Sequence, residues 1–156
     1  MRLHHVSVAN FRHPRIDVDF CDSSGRPLTL AVLAGPNGNG KTTVLDAIHC
    51  AYAGISQARL PRWRADLDPF NPRLRPRVND PWEVKLDFSL DPKEIAASGD
   101  LERLLSGKSL GLATKSTYAA TVRFMPDGTH TVEGDAEALR GRARVKVALS
   151  RGFRVE

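Results

Sequence analysis

The stretch LAGPNGNGKTTVLDAI, residues 33–48, constrains the fold of this chain more than any other part of the sequence. Residues 35–42 fit the pattern G-x-x-x-x-G-K-[ST] at every fixed position. Glycines in such a loop let successive backbone N–H groups point at one phosphate, and the helix that follows aims its unpaired N–H groups at the same anion. The sequence therefore predicts a loop that binds a nucleoside triphosphate. Its predicted ligands are Gly35, Pro36, Asn37, Gly38, Asn39, Gly40, Lys41, Thr42 and Thr43.

Three side chains at the end of this loop have distinct predicted roles. Lys41 supplies a flexible positive charge to the β- and γ-phosphates. The hydroxyl of Thr42 is a hard oxygen ligand for Mg²⁺, and Thr43 is placed to donate to the α-phosphate. The pattern thus predicts ATP and Mg²⁺ as the bound groups.

The segments on either side of the loop predict a strand–loop–helix unit. The run LTLAVLA, residues 28–34, is apolar throughout, which is typical of a strand covered on both faces. Residues 42–52 have helical spacing, with Gly54 just beyond the expected end. The expected apolar face of this helix comprises Val44, Leu45, Ile48 and Tyr52.

Alternating apolar and polar residues predict further strands. These expected strands lie at residues 16–20, 82–90, 118–124 and 129–133, the last two forming a hairpin. Asp91, Pro92 and Glu94 form a helix-start signal, which predicts a helix to residue 105 with a break at 98–99. Shorter patterns predict a helical turn at 136–140 and a strand at 145–149.

Residues 57–81 lack any sustained period and are rich in proline and arginine, which indicates an irregular insertion, partly disordered. With Trp63 and Phe70 among them, its arginines are candidate contacts to DNA phosphates, the alternative being a solvated basic loop. These arginines are Arg59, Arg62, Arg64, Arg73, Arg75 and Arg77.

Composition narrows the class of protein only a little. A net charge of +5 permits an anionic partner such as DNA without requiring one. There is no apolar run long enough for a bilayer and no signal-peptide pattern, so we expect a cytoplasmic protein without a membrane partner. Cys21 and Cys50 are isolated, which favours reduced thiols.

Two segments carry a resemblance to known ATPases. GPNGNGKTT followed by VLDAI resembles the loop and first helix of ABC-type ATPases, and LHHVSVANFRHP resembles the opening strand of the SMC/RecF/OLD group, which ends in an NFR element, here residues 10–12. Together they cover about the first 55 residues. The resemblance implies an α/β P-loop NTPase of the ABC-ATPase-head type, grouped with AAA family ATPases. In that fold a mixed sheet carries the loop, with an antiparallel β-subdomain at the N-terminus.

The resemblance also implies roles for particular residues and partners. Arg12, from the NFR element, and the adjacent His13 are expected near the nucleotide. Gln57 is the only glutamine in the chain, so it is the candidate for the residue that contacts Mg²⁺ and the attacking water, although it follows the helix earlier than usual. Proteins of this group dimerise through their heads and act in DNA repair, chromosome maintenance or phage defence.

Other elements of an ABC-type hydrolase are absent from the sequence. No Asp-Glu dipeptide occurs to end a Walker B strand, so no general base for ATP hydrolysis is visible. The signature LSGGQ is also absent, and residues 105–108 and 149–152 are only superficial echoes of it. The sequence therefore contains the front half of such a head and lacks the C-terminal half.

Three interpretations remain open. The chain is the N-terminal portion of a longer ATPase, or a nucleotide-binding sensor or half-site completed by a partner protein, or a member of another P-loop branch such as a small kinase or GTPase. The guanine-selecting N-K-x-D motif is absent, which disfavours a GTPase. On the first interpretation residues 1–156 divide into a β, loop and helix unit (1–54), the insertion (57–81) and a part with strands, helix and hairpin (82–156).

Overall fold

Alternating apolar and polar side chains form five strands in the described part of the chain, and all five join one sheet. The structure, a computed structural model, describes residues 1–56, 67–106 and 117–136. Its strands are β1 (Arg2–Phe11), β2 (His13–Asp19), β3 (Trp82–Ser89), β4 (Tyr118–Phe124) and β5 (His130–Gly134). Its helices are α1 (Lys41–Ser56), α2 (Pro92–Ser106) and a short 3-10 helix (Pro72–Leu74). The strands run antiparallel in the order β2-β1-β3-β4-β5.

The pairing register sorts apolar and polar residues onto opposite faces of the sheet. Val8 pairs with Ile16 on one side and with Val84 on the other, and Val84 pairs with Val122. Because side chains alternate along each strand, this row faces one way and the neighbouring polar positions face the other. The apolar face holds the core.

Helix α1 covers this apolar face. Val44, Ala47, Ala51 and Ile55 are all at most 2% exposed. A stack of aromatic rings closes one end of the core, with Trp82 4.4 Å from Phe11 and 4.2 Å from Phe124 between ring centroids.

Gly54 lies inside α1, where the sequence predicted a position beyond the helix end. A Cβ at this position would lie 3.2 Å from Val122 Cγ1, and the backbone oxygen of Gly54 is 3.2 Å from His130 Nε2. The glycine therefore serves the close approach of helix to sheet, which explains why it does not end the helix.

The strand predicted at residues 28–34 is wrong. No strand forms there, and Leu30 and Val32 are each 80% exposed. Its backbone joins the sheet region only at its start, where Leu28 N–H donates to the Phe20 oxygen. No strand in the described part of the chain lies alongside the rest of it, and a strand without a neighbour gains no ladder hydrogen bonds.

The predicted apolar face of α1 is partly wrong for the same reason. Leu45 is 50% exposed, while Val44 is 2% exposed and packs in the core. The face that packs on the sheet is a different one, so α1 is apolar on two sides and only one of them is covered within the described residues.

Most of the other predicted strands and helices are present in the structure. The strands at 16–20, 82–90 and 118–133 are confirmed, with small shifts at their ends. The helix after Asp91 is confirmed, but its predicted break at 98–99 is wrong, because α2 runs unbroken to Ser106. The turn at 136–140 and the strand at 145–149 lie almost wholly outside the described residues.

The described part of the predicted insertion, residues 67–81, is irregular but packed. Trp82 Nε1 donates to the Pro69 oxygen at 2.7 Å, and Phe70 meets the Phe124 ring edge-on at 5.7 Å. Leu67 is 3% exposed. The expectation of disorder is therefore wrong for this half of the segment. Within the described ranges, neither helix has the length and apolar character that a membrane crossing requires.

Candidate nucleotide-binding site

The phosphate-type loop adopts a backbone that glycine permits. Gly38 and Gly40 have φ angles of 89° and 77°, in the left-handed region that other residues adopt at a cost. A Cβ on Gly40 would also lie 2.6 Å from Ile16 Cδ1 of β2. The last turn of the loop is thus fixed against the sheet edge by its backbone conformation and by its closeness to β2.

Helix α1 begins at Lys41, directly after the last glycine of the loop. The Lys41 ammonium donates to the oxygens of Gly35 and Pro36, at 2.7 Å each, so it bridges the beginning of the loop. The Val44 N–H donates to the Gly40 oxygen at 3.0 Å, which is the first helical bond. The N–H groups before it lie at the positive end of the helix dipole, an arrangement that favours an anion.

The hydroxyl-bearing residues differ in access. Thr42 is exposed, whereas Thr43 is 3% exposed. An exposed hydroxyl at the N-terminus of α1 suits Mg²⁺, which keeps most of its waters and takes few protein ligands. The described residues contain no cluster of three or more His, Cys, Asp or Glu side chains that could hold a metal ion by themselves.

Arg12 is held by hydrogen bonds from its backbone to Leu74 and from its side chain to α1. Its φ of 56° is left-handed, and its N–H donates to the Leu74 oxygen at 2.5 Å. Its Nη1 donates to Oδ2 of Asp46 at 2.6 Å, and its guanidinium carbon lies 5.3 Å from the centre of the Phe11 ring. Asp46 is 2% exposed, so this ion pair is half buried inside the fold.

His13 lies next to the loop. A Cβ on Gly40 would be 3.7 Å from both Cδ2 and Nε2 of His13. The structure therefore places His13 beside the loop and joins Arg12 to α1, the helix that follows the loop. Contact of these residues with a nucleotide stays a prediction.

Asn10 links the end of β1 to residues 77–81 through its side chain. Its φ is 58°, and its side-chain nitrogen donates to the oxygens of Arg77, Asp80 and Pro81 at 2.9–3.2 Å. Its side-chain oxygen accepts the Arg77 N–H at 2.8 Å. The NFR element is therefore the connection between β1 and β2, tied to residues 74–81 on one side and to α1 on the other.

The other predicted site residues are not gathered here. Gln57, Arg59, Arg62 and Arg64 lie outside the described residues. Arg73 and Arg77 are exposed, as a DNA contact would require. Arg75 is 4% exposed, with Nη2 donating to the Met125 oxygen at 3.1 Å, so its proposed role in DNA contact is wrong.

Asp46 is the residue that the sequence prediction missed. It is the only acid in α1, at a position surrounded by apolar residues in VLDAIHCAYAGI. A lone carboxylate between apolar residues of a helix indicates a buried partner, and this signal was available in the sequence.

We compared the chain with known proteins by sequence. No protein-family model matches the chain. Over 60 residues it is 42% identical to the DNA replication and repair protein RecF of Chlorobium luteolum (strain DSM 273 / BCRC 81028 / 2530). This match covers 38% of the chain and only 14% of that protein.

One solved structure matches over nearly the whole chain. A structure from work on the ATP-driven dimerization and DNA-stimulated activation of SMC ATPases matches with a TM-score of 0.61. The match covers 99% of this chain and 85% of that one, at 13% identity. An SMC head bound to the C-terminal winged-helix domain of ScpA matches with a TM-score of 0.49, at 16% identity, over 96% of this chain and 40% of that one.

The first of these structures shows the fold, which is that of an SMC-type ATPase head, and the antiparallel sheet is part of an α/β head. Together with the 60-residue match to RecF, this fold supports the predicted resemblance to SMC/RecF-like ATPases of the ABC type.

Proposed function

We propose that this chain is the ATP-binding, N-terminal part of an SMC/RecF-like ATPase head and that residues 35–43 hold ATP and Mg²⁺. The observation that supports this most is the loop itself, with Lys41 bridging its start and α1 beginning at its end. Positive charge, free helix N–H groups and a glycine backbone converge on the same small volume.

Within that site the residues have separable tasks. Lys41 exchanges its bonds to loop oxygens for bonds to phosphate, and Thr42 offers its hydroxyl to Mg²⁺. Arg12 and His13 supply further contacts at the edge formed by β1 and β2. Gln57 remains the candidate for the residue that meets Mg²⁺ and the attacking water.

We propose further that hydrolysis needs residues from additional polypeptide, either in a longer chain or in a partner. The sequence has no Asp-Glu dipeptide. Leu30, Val32 and Leu45 present apolar side chains that the described fold leaves exposed. Both facts fit a half-site whose other half packs on this surface, and head-to-head dimerisation would fit the same requirement. A nucleotide-binding sensor that does not hydrolyse ATP is the alternative, supported by the missing general base.

DNA is the partner we propose, in repair, chromosome maintenance or phage defence. The RecF of Chlorobium luteolum is described as a DNA replication and repair protein, and the matched SMC ATPases as DNA-stimulated. Exposed Arg73 and Arg77 are the described residues that support contact with a phosphate backbone here.

Replacement of Lys41 tests the nucleotide site. Lys41→Ala should raise the Kd for Mg-ATP by about 100-fold or more, because the charge-assisted hydrogen bonds from its ammonium to the β- and γ-phosphates would be lost. Isothermal titration calorimetry measures this directly. Lys93→Ala is the matched control, since Lys93 is an exposed lysine at the start of the other helix, and its affinity should equal that of the wild type.

Unchanged affinity in the Lys41 variant would refute the site. The wild-type chain should bind Mg-ATP and turn it over little or not at all. Rapid turnover by the chain alone would contradict the proposal that hydrolysis depends on additional polypeptide.

A further inference from the structure

We infer that Asp46 is a positioning residue that holds the Arg12 guanidinium ready for the phosphates bound at residues 35–43. This inference rests on the proposed function and assigns a role to a residue that neither the motif nor the resemblance singled out. Its basis is the half-buried ion pair between Arg12 Nη1 and Asp46 Oδ2 at 2.6 Å.

The burial of Asp46 distinguishes this ion pair from an ordinary surface pair. Its side chain is 3% exposed, and a carboxylate taken out of water is costly unless it is paired and hydrogen-bonded. It stands five residues after Lys41, roughly 7.5 Å further along the helix axis. The carboxylate thus anchors an arginine behind the phosphate-facing end of the same helix.

The backbone of Arg12 fixes the other end of this side chain. A left-handed φ of 56° and the bond from its N–H to the Leu74 oxygen hold the main chain, and the Phe11 ring flanks the guanidinium. The next residue, His13, borders Gly40 of the loop. Arg12 is therefore held at both ends, beside the loop.

The guanidinium retains donors for a ligand. It has five N–H groups, and the bond to Asp46 uses one of them. The side chain is 30% exposed, so part of it is open to solvent. Because Asp46 already restricts the rotamers of this long side chain, binding an anion immobilises it at little further cost in entropy.

A double-mutant cycle tests this role through Mg-ATP affinity. Arg12→Ala and Asp46→Asn should each raise the Kd by about tenfold. The double variant should bind like Arg12→Ala alone, because Asp46 acts through Arg12. Asp46→Glu keeps the charge and should recover most of the affinity that Asp46→Asn loses.

A second readout needs no nucleotide. The same cycle measured by thermal denaturation of the free chain should show coupling between the two residues, since removing either one breaks the same ion pair. If Asp46→Asn does not fold, Asp46→Ala takes its place in the cycle, because it also removes the carboxylate. Asp17→Asn is the matched control: it removes a carboxylate that pairs with Arg15 on β2, and it should leave the Kd unchanged.

The outcomes separate this inference from the proposed function. Wild-type affinity in Asp46→Asn would overturn the role of Asp46, and so would a further tenfold loss when Asp46→Asn is added to Arg12→Ala. In either case Lys41→Ala would still weaken binding, and the proposed function would stand. Failure of the wild-type chain to bind Mg-ATP would overturn both.

Discussion

The first and last residues of the NFR element show how single residues shape this site. Asn10 and Arg12 have φ angles of 58° and 56°, a conformation that costs about 1–2 kcal/mol for each non-glycine residue. Asparagine tolerates this region better than most residues, and its amide makes four hydrogen bonds to residues 77–81. The bonds of Arg12 to Leu74 and Asp46 offset its strain in the same way. Local strain is thus accepted here to turn the chain and direct an arginine at α1.

Asp17, on the outer face of the sheet, gives a prediction for pH. The hydrogen bond from Arg15 is the main cause that lowers the pKa of Asp17 to about 2, with further bonds from Ser7 and His5. A carboxyl whose pKa is lower in the folded state stabilises the fold above its unfolded pKa. That contribution is lost as the pH falls from about 4 to about 2. A carboxyl-detected NMR titration should place the midpoint of Asp17 near 2.

Arg15→Ala should move this midpoint back towards the ordinary value, because the first cause of the shift is removed. Because the pair is exposed, high salt should shrink the effect on stability. A titration of Asp17 that is unchanged by Arg15→Ala would show that the pair does not form in solution.

Helix α1 shows how one element serves several neighbours. Its sheet-facing residues are small or β-branched, and Gly54 lets the helix approach Val122 closely. Its first residues end the loop, and Asp46 on the same helix anchors Arg12. Packing against the sheet therefore sets the position of the predicted phosphate site.

The arginines in residues 67–81 differ in exposure, and this difference gives a test of DNA binding. Arg73 and Arg77 are exposed, so replacing both by Ala should weaken DNA binding and reduce the slope of log affinity against log salt by about 2. Measurement of Kd by fluorescence anisotropy over a salt series detects this. Melting temperature should not change.

Arg75→Ala is the contrasting variant in the same segment. Its side chain is buried and donates to the Met125 oxygen, so its loss should destabilise the fold by about 1–3 kcal/mol and leave the salt slope unchanged. Equal salt slopes in the wild type and the Arg73/Arg77 variant would exclude this segment as the DNA contact.

On the scale of the whole molecule, the described fold covers one face of α1 and leaves Leu30 and Val32 exposed, while Leu33 packs against the core. Since Leu30 and Val32 are 80% exposed, Leu30→Lys with Val32→Lys should change the free energy of unfolding by less than about 0.5 kcal/mol. The substitutions should reduce self-association in light scattering, because exposed apolar patches drive association. Chemical denaturation and multi-angle scattering measure the two effects.

Val84→Ala is the matched control, since Val84 is fully buried in β3 and its truncation should cost on the order of 2 kcal/mol. A comparable loss in the Leu30/Val32 variant would mean that this segment is buried in solution.

Much of the fold was predictable because its signals are local. Alternation placed the four predicted strands, and the residues around Asp91 placed the start of α2. What failed depended on neighbours. The apolar run at 28–34 predicts burial, but burial needs a strand alongside, and Gly54 looks like a helix end unless the approach of Val122 is known. The burial of Arg75, among arginines of like appearance, was likewise undetectable from sequence.

The sequence by itself determined the phosphate-type loop, because its glycines, Lys41 and Thr42 follow one another along the chain. The NFR element, likewise contiguous in the sequence, carries the resemblance to SMC/RecF-like heads. Only the tertiary structure decided that Arg12 pairs with Asp46, that Asn10 fastens residues 77–81, and that Arg75 is internal. These relations join residues more than 30 positions apart, and their strength comes from burial, which chain order alone does not reveal.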